Sequence, residues 1–244
     1  MFNFRDIPPV VKNLLIINGL MYVAMLMLQS QGIDLTSYFG LHYWKSEGFY
    51  PHQLVTYMFM HSFDFMHILF NMFAVWMFGR VLEGVWGSKR FLIYYMITGI
   101  GAGIIQLIVI HFRMMPLYDM LSPEDLQYVL DKGYGIIQSG QNFTDPIAGK
   151  LNALMNVTTV GASGAVFGIL LAFGMLFPNT ELMLLFPPIP IKAKWFVIIY
   201  GAIELFSGVA NTAGDNVAHF AHLGGMLFGF ILIKYWQKNS NHFY

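Results

Sequence analysis

Cysteine is absent from the 244 residues, which excludes disulfides, thiolate nucleophiles and cysteine-ligated metals. Charge is scarce as well: Asp, Glu, Lys and Arg make up 11% of the chain, against about 25% in soluble domains. The 13 basic and 13 acidic residues cancel, and a formal net charge of zero argues against a nucleic-acid partner. There is no H-E-x-x-H segment, so the zinc-protease signature is missing. No repeat or low-complexity tract interrupts the chain. In place of these the sequence has apolar residues, 57% of the total with 17% aromatic, gathered in runs close to the roughly 20 residues a helix needs to cross a bilayer. The fold class this predicts is an all-α polytopic membrane protein.

Six runs are expected to span the bilayer, at about residues 13–29, 53–78, 91–112, 159–177, 195–208 and 218–236. Residues 1–12, with Pro8 and Pro9, form a short leader. No small-residue cleavage site follows the first run, which is therefore read as a retained span. Residues 30–51 are rich in Gly and in rings such as Tyr38, Phe39, Tyr43, Trp44, Phe49 and Tyr50, the composition of a membrane interface. An even number of spans places both termini on one side. Arg5, Lys12, Arg80, Lys89, Arg90, Lys192, Lys194, Lys234 and Lys238 fall on that side, against Lys45, Arg113, Lys132 and Lys150 on the other. Short cytoplasmic segments collect Lys and Arg, so the leader and the tail, residues 237–244, are expected to be cytoplasmic.

The long polar segment 113–157 is then extracytoplasmic. Ser122-Pro123-Glu124-Asp125 reads as a helix start, with an N-cap Ser, Pro at the first helical position and an acid three residues after the cap. Gly133 is expected to end that helix, and a second helix is expected at about residues 147–155. Together they predict an ordered cap near the mouth of whatever site the following span carries.

Polar side chains inside apolar spans are costly and call for an explanation. His67 and Asn71 are four apart and share a helical face, with Asp64 on much the same side. The run Gly161-Ala162-Ser163-Gly164-Ala165-Val166-Phe167-Gly168 opens the fourth span, and Gly164 with Gly168 makes a small-xxx-small packing pair. On the last span His219 and His222 precede Gly225 and Gly229, which would let that helix press against the Gly164/Gly168 face and bring His222 to Ser163. Other readings compete. A metal site would combine His219 and His222 with His61, His67 or Asp64; a transporter would use Glu204 in the fifth span. An aspartyl protease would use Tyr118-Asp119 and Gly214-Asp215, but Thr212 stands where its motif needs Gly.

Three of these segments occur together in the rhomboid intramembrane serine proteases: His67-Ile68-Leu69-Phe70-Asn71, Gly161-Ala162-Ser163-Gly164, and Ala221-His222 through Gly225 to Gly229. Glu83-Gly84-Val85-Trp86-Gly87-Ser88 also looks like the family's turn before the third span. The chain resembles that family over residues 13–236, and the resemblance implies a six-helix transmembrane bundle of the rhomboid type. It further implies that Ser163 is the nucleophile, His222 the general base, and His67 and Asn71, with the Ser163 backbone N–H, the oxyanion-hole donors. Gly161, Gly164, Gly225, Gly229 and Phe167 would pack the helices around them. Phe167 departs from the Tyr common in the family, removing a phenol but keeping a ring to stack on His222. No third residue is evident, so a Ser-His dyad is expected, with His61, Asp64 and Glu204 structural or water-organising. Substrates would be transmembrane proteins in a lipid bilayer, cleaved with no cofactor or metal, in a bacterial inner membrane; the oligomeric state stays open. Non-catalytic rhomboid-like binders lose the Ser or the His, and this chain keeps both.

Overall fold

The computed structural model describes residues 6–183, 188–210 and 217–239. Arg5, Pro187, Thr212, Gly214, Asp215 and residues 240–244 of the tail lie outside the described residues.

The first span is α1 (Pro9–Gln29), with Pro at its start where no backbone donor is needed. Its N-terminal amides, which have no partner within the helix, are met from another helix: the Glu83 carboxylate accepts from Val10 N and Val11 N at 2.9 and 2.8 Å, and from Ser88 Oγ at 2.7 Å. A carboxylate at a helix N-terminus satisfies orphan donors and complements the dipole. Glu83 thereby pins α1 to the turn before the third span. A short helix, α2 (Leu35–Phe39), follows, capped by Asp34.

The second expected span is not one helix. It divides into α3 (Gln53–Thr56), a 3-10 turn (Tyr57–Phe59), a non-helical stretch, and then α4 (Phe65–Ala74), a π-helical turn (Val75–Gly79) and α5 (Arg80–Trp86). The start moves because Gln53, Tyr57 and Met58 are buried in protein and do not face lipid. Asp64 then caps α4, its side chain accepting from Met66 N at 2.9 Å. The end moves because the helix continues past residue 78 through Arg80 to Trp86; only Gly87, at φ 76°, turns the chain.

The third span, α6 (Ser88–Tyr118), runs past its expected end at residue 112, because Met114 and Leu117 are buried against the cap. The cap consists of α7 (Pro123–Gln138) and α8 (Pro146–Asn156). Ser122 accepts from Asp125 N as expected, and Asp145 caps α8 in the same way. Gly133, however, lies inside α7: it is buried where Asn152 of α8 crosses, so its lack of a side chain serves close approach. The terminator is Gly140 at φ 75°, with Gln141 N bonded to Ile136 O and Gly140 N to Ile137 O, a Schellman ending.

The fourth span, α9 (Ser163–Leu176), has 14 residues, about 21 Å at 1.5 Å each, and begins at Ser163 itself. It need not cross a whole bilayer, because it is the centre of the bundle: 11 of the 14 are buried, among α4, α6, α10 and α11. An antiparallel hairpin, β1 (Glu181–Met183) with β2 (Pro190–Lys192), occupies the expected loop and pairs Leu182 with Ile191. The bundle closes with α10 (Ala193–Ala210) and α11 (His219–Asn239). Among the described residues four helical stretches, Pro9–Gln29, Phe65–Trp86, Ser88–Tyr118 and Ala193–Ala210, are long and apolar enough to cross a membrane. The remaining two expected spans are the short central α9 and α11, whose His and Lys residues dilute its apolarity. The whole is an all-α membrane bundle.

The cap is tied to the chain that enters α9. Ser46 Oγ donates to Asn156 Oδ1 at 2.8 Å, Leu41 and Thr159 exchange both backbone hydrogen bonds at 2.9 Å, and His42 Nε2 meets Thr158 Oγ1 at 3.0 Å. His42 is completely buried, and that desolvation holds its pKa below the usual 6.5. A buried neutral His stabilises the fold fully above the unfolded value near 6.5, and its contribution is lost as pH falls below it, since the unfolded chain binds the proton more readily. The protection factors of the amides at residues 40–43 and 157–160 are therefore expected to fall as pH drops below about 6.5 in wild type but not in His42→Gln. Equal exchange profiles in the two proteins would assign the effect to another group.

Candidate active site

Ser163 is the first residue of α9, and the approach to it is set backbone by backbone. Gly161 N donates to Tyr57 O at 3.0 Å, and Gly161 has φ 129°, a conformation that L side chains avoid. A β-carbon there would stand 3.0 Å from His67 Nε2 and 3.5 Å from Ser163 Oγ. Gly161 is thus not a helix-packing residue, as the sequence suggested; it precedes the helix and leaves open the space shared by Ser163 and His67. Val166 N is the first amide of the helix bonded back, to Ala162 O, so the Ser163 N–H has no partner within the helix and points out of its positive end.

His222 lies on α11, with Nε2 2.8 Å from Ser163 Oγ. The approach is made possible by glycine. A side chain on Gly225 would overlap the Gly164 carbonyl, so α9 and α11 touch backbone to backbone, as the small-residue spacing suggested. Gly168 and Gly229 do not complete that pair. Gly168 faces Thr98 of α6, Gly229 faces the Tyr94 hydroxyl, and Tyr94 donates to Gly168 O at 2.8 Å, so α6 fills the space between them. The Phe167 ring lies on the His222 imidazole, 4.2 Å between centroids and 7° from parallel.

On α4, His67 presents Nε2 to the same space. Its other nitrogen, Nδ1, receives Ser62 N at 3.2 Å, with Ser62 Oγ at 3.0 Å. A backbone N–H can only donate, so Nδ1 is an acceptor and the neutral ring carries its proton on Nε2, facing Ser163. The His61 ring packs edge-on against His67, 5.2 Å between centroids. Asn71 is buried one turn along and uses an amide N–H on His67 O, at 2.8 Å. Of the other sequence-selected polar residues, Asp64 caps α4 one turn before His67 and Asp119 ends α6.

One residue read from the sequence as structural or water-organising is at the centre of this cluster. Glu204 of α10 accepts on a single oxygen, Oε2, from His222 Nδ1 at 2.8 Å and from His219 Nδ1 at 2.6 Å. Its position on a different helix, 18 residues from His222, leaves no local spacing to notice. The available signal was simpler: a carboxylate inside an apolar helix is by itself a candidate for function. Glu204, His219 and His222 also hold their donor atoms within 4.8 Å, the one such His and carboxylate group among the described residues with metal-ligand spacing. Zinc bonds of 2.0–2.1 Å in a tetrahedron would hold donors about 3.3 Å apart. The observed 2.6 and 2.8 Å are instead lengths of hydrogen bonds to a charged acceptor.

Comparison with known proteins bears on the same segments. The model of the Rhomboid domain family matches residues 49–238, which include Ser163, His222, His67, Asn71 and Glu204. The chain is also 26% identical over 175 residues to "Rhomboid protein 1, mitochondrial" of Saccharomyces cerevisiae, an alignment covering 72% of this chain and 39% of the yeast protein. It therefore spans about two fifths of the length of that relative. The family match extends over more than three quarters of the 244 residues, and on that match this multi-pass membrane protein belongs to the rhomboid family.

Proposed function

We propose that the chain is an intramembrane serine endopeptidase that hydrolyses peptide bonds in or near transmembrane segments of other membrane proteins. The observation that carries this reading is the 2.8 Å hydrogen bond between Ser163 Oγ and His222 Nε2, formed inside the bundle at the N-terminus of α9. An isolated serine hydroxyl is a weak nucleophile, and an imidazole in hydrogen-bond contact activates it. Ser163 Oγ attacks the scissile carbonyl as its proton passes to His222 Nε2. The negative charge on the carbonyl oxygen is met by the Ser163 backbone N–H and by His67 Nε2–H, with Asn71 one turn beyond. His222 then returns the proton to the leaving amine, and water hydrolyses the acyl-enzyme in the reverse sequence. Residues 13–236 form the catalytic domain, with the leader and tail cytoplasmic by the distribution of Lys and Arg, and the cap of α7 and α8 on the opposite face.

The test is to incubate purified protein in detergent with a single-span substrate, and separately with a fluorophosphonate probe, then locate both the substrate cut and the labelled residue by mass spectrometry. Cleavage together with a probe adduct on Ser163 is the expected result. Substrate capture without cleavage or labelling would make the chain a non-catalytic membrane-protein binder.

The oxyanion donors give a finer prediction. His67→Ala is expected to lower kcat by about 10² to 10³-fold, the usual consequence of losing one preorganised donor, and Asn71→Ala to lower it less, because its amide already serves His67 O. KM should change little in either case, because the charge develops only during reaction. Steady-state kinetics decide: a defect confined to KM would place both residues in substrate binding.

A further inference from the structure

The dyad leaves one question of chemistry open, which is what makes His222 a base toward Ser163. A neutral imidazole carries its proton on either nitrogen, and only the form with Nδ1–H leaves a lone pair on Nε2 for the serine. Stacking on Phe167 fixes the plane of the ring, but a phenyl group has no polar atom with which to select a tautomer. That selection requires an acceptor at Nδ1, and Glu204 Oε2 lies there at 2.8 Å.

We propose that Glu204 is a positioning residue of the hydrolytic site, which holds His222 in the Nδ1–H form with Nε2 directed at Ser163, and that His219 anchors the carboxylate. The proposal rests on Ser163 and His222 being nucleophile and base. Three features of the fold support it. The buried positions of α10 are Ala193, Val197, Glu204 and Gly208, one helical face on which Glu204 is the sole ionisable group. A carboxylate in such a place is costly unless it is hydrogen-bonded, and here two imidazoles on α11 donate to one oxygen. Glu204 and His222 are 7% and 8% exposed, so these bonds are made away from bulk water, where a fixed dipole or charge has its largest effect. During acylation the Ser163 hydroxyl proton moves to His222 Nε2, Nδ1 keeps its own proton, and Glu204 stays a carboxylate facing the imidazolium. No second proton transfer is required. His219, whose Nδ1 is 2.6 Å from the same oxygen, holds Glu204 against rotation away from His222.

The experiment compares wild type, Ser163→Ala, Glu204→Gln, Glu204→Asp and His219→Ala in detergent on one single-span substrate. It also reads the imidazole tautomers from nitrogen chemical shifts in protein labelled with ¹⁵N-histidine, with His222 assigned by its disappearance in His222→Ala. Glu204→Gln is expected to lower kcat by about 10² to 10³-fold with KM within about twofold, since loss of the orienting carboxylate in a serine triad costs up to about 10⁴. Its His222 should shift toward the Nε2–H form. Glu204→Asp should recover part of the rate, and His219→Ala should cost less than about tenfold. A Glu204→Gln enzyme within twofold of wild type, beside an inactive Ser163→Ala, overturns the role of Glu204 and leaves the dyad standing. Residual turnover in Ser163→Ala would instead remove the serine mechanism. The tautomer in wild type is decisive on its own, whether or not a variant folds: His222 with a bare Nδ1 refutes the proposal.

Discussion

Ser163→Ala is expected to reduce cleavage of a transmembrane substrate to background, a loss on the order of 10⁴ to 10⁶-fold, while the protein remains folded. The substitution removes one oxygen from a partly buried side chain whose hydroxyl bonds His222 Nε2. The packing that holds α9 is made by its neighbours: Gly164 on Ala102 and on the backbone of α11, Gly168 on Thr98, and Phe167 on His222. None of those contacts involves the hydroxyl, so the unfolding midpoint should move little, with a stability change within about 1 kcal/mol. His222→Ala should be as inactive toward substrate, and its probe labelling should be lost as well, because the hydroxyl is then unactivated. Gel-based turnover, probe labelling and thermal unfolding measured on the same preparations separate chemistry from folding. Undiminished turnover in folded Ser163→Ala would sink the serine mechanism and return attention to Glu204, His219 and His222 as a metal-binding group.

Much of this was legible in the chain because it is written in periodicity. The apolar runs, the capped start of α7 at Ser122, the second cap helix, and the pairing of Gly225 with Gly164 follow from local spacing and a general rule for membrane helices. What was not legible depends on partners remote in sequence. The break after the 3-10 turn follows a segment in which Tyr57, Met58, Met60 and His61 are buried in protein, and hydropathy reports only that a stretch avoids water. Gly133 and Gly161 carry the letter that usually marks an end or a packing face, yet one admits Asn152 across a helix and the other adopts φ 129° beside His67. Glu204 shows the limit best. Nothing within ten residues of it hints at a partner, and its two histidines arrive from the next helix only because α10 and α11 pack side by side.

Gly225 is where folding and chemistry are hardest to separate, and it gives the last prediction. A β-carbon at Gly225 would overlap the carbonyl carbon and oxygen of Gly164, which are backbone atoms in the first turn of α9 and have no rotamer to escape into. Relief requires α9 and α11 to part. The Ser163–His222 hydrogen bond spans the same two helices less than a turn away at 2.8 Å, and such bonds weaken steeply beyond about 3.2 Å. Gly225→Ala is therefore expected to lower kcat by about 10³-fold and Gly225→Val to abolish turnover, approaching the loss of the base itself. Gly229→Ala is the control. Its obstacle is the end of the Tyr94 side chain and not backbone, so relief costs the buried hydrogen bond to Gly168 O, a loss of about 1–3 kcal/mol in stability, and leaves the α9–α11 contact in place. Turnover in Gly229→Ala should remain within tenfold of wild type. Probe labelling of the three variants, measured beside unfolding midpoints, reads the separation directly. A Gly225→Ala protein that labels and cleaves like wild type would show that the approach of the two helices does not set the reactivity of Ser163.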